Sequence, residues 1–141
     1  MNVVLDASVV IALIVADERQ AAVRARLDAW LEAGEGLHAP AVLPYEIANV
    51  LARLVFDGVL DLAEVGDIWD DVSTLDVVLH PFDLARDGPE VAEITAALLR
   101  RHATDSAYVC LARRLGTTLW TLDGALARNG ADVGLPVQLL S

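Results

Sequence analysis

Short solid apolar runs alternate along the chain with longer segments of helical period. Asn2–Leu5 (NVVL) is a β-branched run ended by Asp6 and reads as a buried strand. Ala7–Ala16 (ASVVIALIVA) is ambiguous by composition; its length and the following DERQ favour a helix. Glu18–Ala33 carries Val23, Leu27, Trp30 and Leu31 at i, i+4, i+7 and i+8, an amphipathic helix closed by Gly34 and Gly36. Leu37–Ala39, before Pro40, reads as a second strand. Pro44 suits the first turn of a helix that Ile47, Val50, Leu51, Leu54 and Val55 continue as far as Gly58. Asp61–Leu75 is a further helix with Asp61 as its N-cap. Val77–His80 is a third strand, stopped by Pro81. Pro89–Arg101 reads as a helix with proline at its start and Arg100, Arg101 and His102 at the negative end of its dipole. Thr104–Leu115 is a helix closed by Gly116, and Thr117–Leu122 a fourth strand ended by Asp123-Gly124. Ala125–Asn129 gives a helical turn and Val137–Leu140 a last strand. Solid apolar strands alternating with helices predict an α/β fold, a parallel sheet covered on both faces. Such sheets bind ligands beyond the carboxyl ends of their strands, near the topological switch point.

Composition narrows this picture. The 141 residues are 55% hydrophobic with mean hydropathy +0.48, which excludes intrinsic disorder. The longest uncharged stretch, Ala7–Ala16, is ten residues, against about 20 for a membrane span. Asp6 and the lack of Lys or Arg in the first ten residues argue against a secretion leader. A lone cysteine, Cys110, fits a reducing, cytoplasmic setting. No repeat or linker interrupts the chain, so residues 1–141 read as a single domain. The net charge is −11, from 21 acidic and 10 basic residues, and every basic residue is arginine. Without lysine, Schiff-base and P-loop chemistry are excluded. The acidity speaks against a nucleic-acid coat, but not against an enzyme that grips nucleic acid through metal ions and a few arginines.

Four carboxylates stand where chemistry sits in such a fold. Asp6 follows the first strand and Asp123 the fourth; Asp105 and Glu46 lie at helix starts. Each alone has an ordinary structural reading as a cap, a turn or a dipole-complementing acid. Together they are expected on one rim, where their repulsion calls for a cation. All-oxygen ligand sets select magnesium or manganese.

The same residues carry a resemblance. MNVVLDASVVIAL, with Asp6 and Ser8, resembles the start of a PIN-domain nuclease. PAVLPYEIANVLARL, with Glu46 and Asn49-Val50-Leu51, resembles its second block. ATDSAYVCLARRLG, with Asp105, is similar to the third, and LWTLDGALA, with Thr121 and Asp123, to the fourth. The blocks run in order over nearly the whole chain, and the length suits the toxin ribonucleases of VapBC toxin–antitoxin pairs. The resemblance implies a three-layer fold with a central, about five-stranded parallel sheet flanked by helices. It also implies a magnesium- or manganese-dependent endoribonuclease, a homodimer, and inhibition by a VapB-like antitoxin seated in the active-site groove of a larger toxin–antitoxin complex. One or two ions would be held by Asp6, Glu46, Asp105 and Asp123, the catalytic set. Such ions would bind a phosphate oxygen and acidify a water. Ser8 and Thr121 would orient the carboxylates, and Asn49, one helical turn after Glu46, would either do likewise or be a polar residue facing water.

The remaining residues carry weaker signals. Arginines on helices are mostly solvated faces with ion-pair partners; Arg100 and Arg101, close to Asp105, are candidates for RNA phosphate contacts. His38, His80 and His102 are far apart and share no ligand spacing, so no zinc site is expected. Cys110 reads as a buried thiol. Surplus apolar surface on the helices Ala7–Ala16, Glu18–Ala33 and Asp61–Leu75 predicts a partner groove or dimer face. Receiver domains need a lysine, and dehalogenase-type phosphatases need Asp-x-Asp where this chain has Asp6-Ala7-Ser8. The alternatives that survive are a PIN-fold nuclease outside a toxin system, acting in RNA processing or on DNA, and a non-catalytic interaction module.

Overall fold

The structure, a computed structural model, describes all residues from Met1 to Ser141. Five parallel strands form one sheet: β1 (Asn2–Leu5), β2 (Gly36–Pro40), β3 (Val78–His80), β4 (Leu119–Thr121) and β5 (Val137–Leu139), in the order β3-β2-β1-β4-β5. Val4 sits opposite both His38 and Leu119, and Leu5 opposite Trp120. Seven helices connect the strands: α1 (Ala7–Ile14), α2 (Gln20–Glu32), α3 (Leu43–Phe56), α4 (Leu62–Ser73), α5 (Leu84–Ala97), α6 (Thr104–Leu115) and α7 (Gly124–Asp132).

The chain steps from β1 to β2 to β3 in one direction, then returns past β1 to β4 and β5. Parallel crossovers are right-handed, so this reversal sends α1–α4 to one face and α5–α7 to the other. Hence the sheet has three layers, with its switch point between β1 and β4. α1 packs against β4 and against α2, α3 and α4; α6 packs against β1, β2 and β4 and carries α5. β1 is buried on both faces, as its unbroken apolar run requires. One cluster of 29 buried apolar residues centres on Val4, Leu5, Val9, Val10, Leu119 and Tyr108. No helix is long and apolar enough to cross a membrane.

The order of elements matches the sequence reading, and the boundaries show where local signals mislead. α5 was expected to open at Pro89 and run to Arg101; it spans Leu84–Ala97 and takes Pro89 inside. Its true start is a reciprocal cap. The Asp83 carboxylate accepts from the Arg86 N–H at 2.9 Å, and the Asp87 carboxylate accepts from the Asp83 N–H at 2.9 Å. It stops because Leu99 turns left-handed at φ 55°. The Leu99 and Arg100 N–H groups then donate back to the Ala96 and Thr95 carbonyls at 3.1 and 3.2 Å. Arg100, Arg101 and His102 therefore lie in a loop, not on a helix end. The predicted turn Ala125–Asn129 is part of the longer α7, capped by Asp123. α4 begins as predicted, with Asp61 and Glu64 forming a capping box. On α2 the stripe is narrower than expected: Val23, Leu27 and Trp30 are buried, whereas Leu31 is exposed.

Candidate metal centre

The reversal of strand order sets β1 and β4 side by side with their carboxyl ends together. The Asp6 N–H donates to the Trp120 carbonyl at 3.0 Å, which pins Asp6 beside the end of β4. Asp6 occupies the N-cap position of α1, yet its side chain makes no capping bond. Its Oδ2 instead accepts from the Ser8 hydroxyl at 3.0 Å and the Thr121 hydroxyl at 2.6 Å. Both hydroxyl oxygens are themselves engaged by backbone donors, Ser8 by the Leu122 N–H and Thr121 by the Asp123 N–H, each at 3.0 Å. With their lone pairs so used, the hydroxyl protons are directed at Asp6. Ser8 and Thr121 thus both donate to one oxygen of this carboxylate.

Asp105 stands in the first turn of α6 and Asp123 caps α7, accepting from the Leu126 N–H at 3.1 Å through Oδ1. Asp123, whose ordinary reading is a turn with Gly124, thus caps a helix with one oxygen, while its other oxygen lies 3.6 Å from Arg100 Nη1. The guanidinium of Arg100 bridges these two acids, with Nη1 2.8 Å from Asp105 Oδ2 and 3.6 Å from Asp123 Oδ2. Glu46, in the first turn of α3, accepts a short hydrogen bond from the hydroxyl of Tyr108.

The acids disturb one another. Burial pushes the Asp6 carboxyl above its ordinary range, and the charge of Asp105 adds to this, against the hydroxyls of Thr121 and Ser8. Burial raises Glu46 too, helped by Asp6 and Asp105 and opposed by the Tyr108 hydrogen bond. Asp105 is raised by burial and by Asp123, and held back by Arg100 and His102. Tyr108 is driven far above the phenol range by burial and by Glu46, so it remains a protonated donor. These are marks of a site short of positive charge.

No three of Asp6, Glu46, Asp105 and Asp123 bring ligand atoms within 4.8 Å of one another. The only trio of potential ligand side chains with atoms all within 4.8 Å of one another is Asp87, Glu90 and Cys110. Octahedral magnesium takes oxygens at about 2.1 Å and keeps several waters. An ion here would be held by some of the acids, with water completing the shell. The donor set is all oxygen, and a cationic group, Arg100, already stands on it. Residue chemistry and a hard divalent ion therefore fit. The tighter trio does not fit one. Arg86 and Arg114 lie 2.9 and 3.0 Å from the Asp87 carboxylate, and Arg113 lies 3.4 Å from Glu90. The Cys110 thiol is pushed up to about 12, chiefly by burial, and stays protonated.

Other expectations need correction. Asn49 is exposed and makes no hydrogen bond to any of the acids. Its side chain faces solvent although it stands one helical turn after Glu46. Arg100 is bound to carboxylates, and Arg101 is exposed with no ion pair. His38 and His80, far apart in sequence, are joined by the β2–β3 pairing: Nδ1 of His38 lies 2.8 Å from Nε2 of His80. Asn2 Oδ1 takes the other nitrogen of His38 at 2.9 Å, so this is a hydrogen-bonded chain and not a ligand set. Tyr108 was not singled out by the sequence. Its signal was present, one helical turn after Asp105 on α6 and hence on a neighbouring face.

Comparison with known proteins places this geometry. Residues 3–131 match the family model described as PIN domain. Ribonuclease VapC3 of Pyrobaculum aerophilum is 33% identical over 132 residues, covering 92% of this chain and 95% of that protein. Among solved structures, PAE2754 from Pyrobaculum aerophilum superposes with a TM-score of 0.66 at 24% identity, over 92% of this chain and 79% of the other. VapBC2 from Rickettsia felis, solved bound to a DNA fragment from its promoter, superposes with a TM-score of 0.71 at 12% identity over the full length of both chains. The switch-point acids and these likenesses agree in kind: this chain belongs to the PIN domain family.

Proposed function

We propose that this protein is a metal-dependent endoribonuclease and the toxin of a toxin–antitoxin pair. The observation that carries the reading is the convergence of Asp6, Asp105 and Asp123, with Glu46 beside them, at the switch point of a PIN-family sheet. Kinship with a protein named Ribonuclease VapC3 supplies the substrate class. Asp6, Glu46, Asp105 and Asp123 would hold one or two magnesium or manganese ions. Bound there, the metal supplies a Lewis acid for a phosphodiester and a water of lowered pKa. The protein's own part is orientation and charge. Ser8 and Thr121 fix the rotamer of Asp6, and Tyr108 fixes Glu46 from the core side. The depth of Asp6 keeps bulk water from screening the charges.

An apolar groove between α3 and α4 supports the partner reading. It encloses about 460 Å³ and is lined by Leu51, Val55, Phe56, Leu62, Val65 and Trp69, among others. Phe56 is 91% and Leu62 77% exposed, and α4 buries no residue fully. Such a surface suits an amphipathic partner: in this reading a VapB-like antitoxin would dock here as well as reach the active-site groove, and a second copy of the chain is the partner for a homodimer. The setting is cytoplasmic and the domain is one unit over residues 1–141. Incubation of the purified protein with total RNA, with magnesium, manganese or EDTA, tests the activity. New 5′ ends that need metal and vanish in Asp105→Asn are expected. Metal-independent cuts, or none, overturn the reading. Cleavage without growth arrest on expression would leave a nuclease outside a toxin system.

A further inference from the structure

The loop after α5 places a cation on the acidic rim. Leu99, φ 55°, is the turn that brings this about; its side chain is 92% exposed and contributes no packing. A left-handed conformation is sterically unfavourable for a non-glycine residue. The two backward hydrogen bonds from Leu99 and Arg100 hold it in place. The result is that Arg100, the next residue, sends its guanidinium inward rather than to solvent. Nη1 reaches Asp105 at 2.8 Å and Asp123 at 3.6 Å. At 23% exposure the side chain is well sheltered, unlike its neighbour Arg101.

Resting on the metal reading above, we infer that Arg100 is the built-in competitor of the metal. Its guanidinium neutralises Asp105 and Asp123 while no ion is bound and must leave them when one binds. The charge argument is direct. While Asp105 Oδ2 is the close acceptor of a guanidinium it is a poorer ligand for a divalent cation, because two positive centres at one carboxylate repel each other and each weakens the hold on the other. The arginine thereby raises the metal concentration needed for half-occupancy: at low metal it holds the rim together, and at high metal it is released toward the substrate side. A role in which Arg100 merely scaffolds the site predicts the reverse, since loss of a scaffold weakens metal binding.

The direction of change decides between them. Manganese is titrated calorimetrically into the metal-free full-length protein and into Arg100→Ala, Arg100→Lys and Arg101→Ala. Arg100→Ala should bind manganese more tightly, by about five- to tenfold for a sheltered, charge-assisted pair. Arg101→Ala removes the same formal charge from the adjacent residue without touching the acids, and should change affinity less than about twofold. Arg100→Lys keeps the charge without the fork, and should fall between parent and Arg100→Ala. Melting temperatures give a second readout: Arg100→Ala should melt below the parent in EDTA and match it in saturating manganese. Weaker or unchanged binding in Arg100→Ala, or an equal gain in Arg101→Ala, overturns the inference while leaving the metal site intact. Manganese binding that is absent from parent and variants alike, or that survives Asp105→Asn unchanged, defeats the metal reading itself and this inference with it.

Discussion

Replacing Asp6 by Asn should stabilise the metal-free protein, although it removes a charge from a hydrogen-bonded site. Asp6 is 6% exposed, so its ionised form is desolvated and feels Asp105 with little screening. Both hydroxyl donors reach the same oxygen, Oδ2. An asparagine that sets its amide oxygen there keeps both bonds and turns its NH2 toward the acidic rim, where it is welcome. The sign follows from the raised carboxyl. A group whose folded pKa lies above its unfolded value favours the folded state most below the unfolded value, and loses that contribution as pH rises through the folded one. Asparagine mimics the protonated form at every pH. The parent should therefore match the variant near pH 4 and fall behind it as pH rises to 8. Each unit of pKa elevation is worth about 1.4 kcal/mol, which for a chain of this size moves the melting temperature by roughly 5 °C. The assay is thermal unfolding followed by circular dichroism, in EDTA, across that pH range. Comparing parent with variant cancels the opposing titration of the His38–His80 pair, whose pKa values are lowered mainly by burial. A variant less stable than the parent at pH 8, or a difference that does not change with pH, would refute the reasoning. In saturating manganese the order should invert, because the ion binds the parent's folded state and lends it stability by mass action.

Glu46→Gln should abolish growth arrest on expression at unchanged protein level; equal toxicity would remove Glu46 from the catalytic set. Tyr108→Phe deletes the buried hydroxyl that steadies ionised Glu46; it should cost about 1–2 kcal/mol at pH 8 by thermal unfolding and less at pH 4, where Glu46 is protonated. Leu99→Asn relieves the left-handed turn and loses almost no packing; a gain of about 0.5–1 kcal/mol in denaturant unfolding is expected. RNA binding by the Glu46→Gln protein in magnesium should show a shallow salt dependence, a log–log slope of about −1.5 to −2 for two or three phosphate contacts. A slope beyond about −4 would place the grip on a larger basic surface than this acidic chain presents.

What the sequence determined by itself was the order of elements and the identity of the acids. A solid apolar run such as NVVL fits a strand buried on both faces and little else, and a carboxylate directly after it must lie at a sheet rim. Capping grammar was equally local: Asp61 with Glu64, and Gly116 at φ 64°, set the ends of α4 and α6. The misreading of α5 was local too. Pro89 reads as a start signal because proline is common there, but the reciprocal bonds of Asp83 and Asp87, and the burial of Asp87 between Arg86 and Arg114, favour an earlier turn. Asp87 and Arg114 are 27 residues apart, and no local pattern announces such a pairing.

Tertiary structure decided everything that depends on which strand lies beside which. The β3-β2-β1-β4-β5 order brings Thr121 to Asp6 across 115 residues and so turns a hydroxyl of one strand into the orienting donor of another. It brings Tyr108 to Glu46 across 62 residues and joins His38 to His80 across 42. It also assigned Arg100. The sequence placed that residue near Asp105 and suggested a phosphate contact, whereas the left-handed turn at Leu99 and the nearness of Asp123 made it a partner of carboxylates. Hydrophobic period fixes which residues face inward along one element. Charge pairing across elements is set by the path of the backbone, and that path is specified only when the whole core packs.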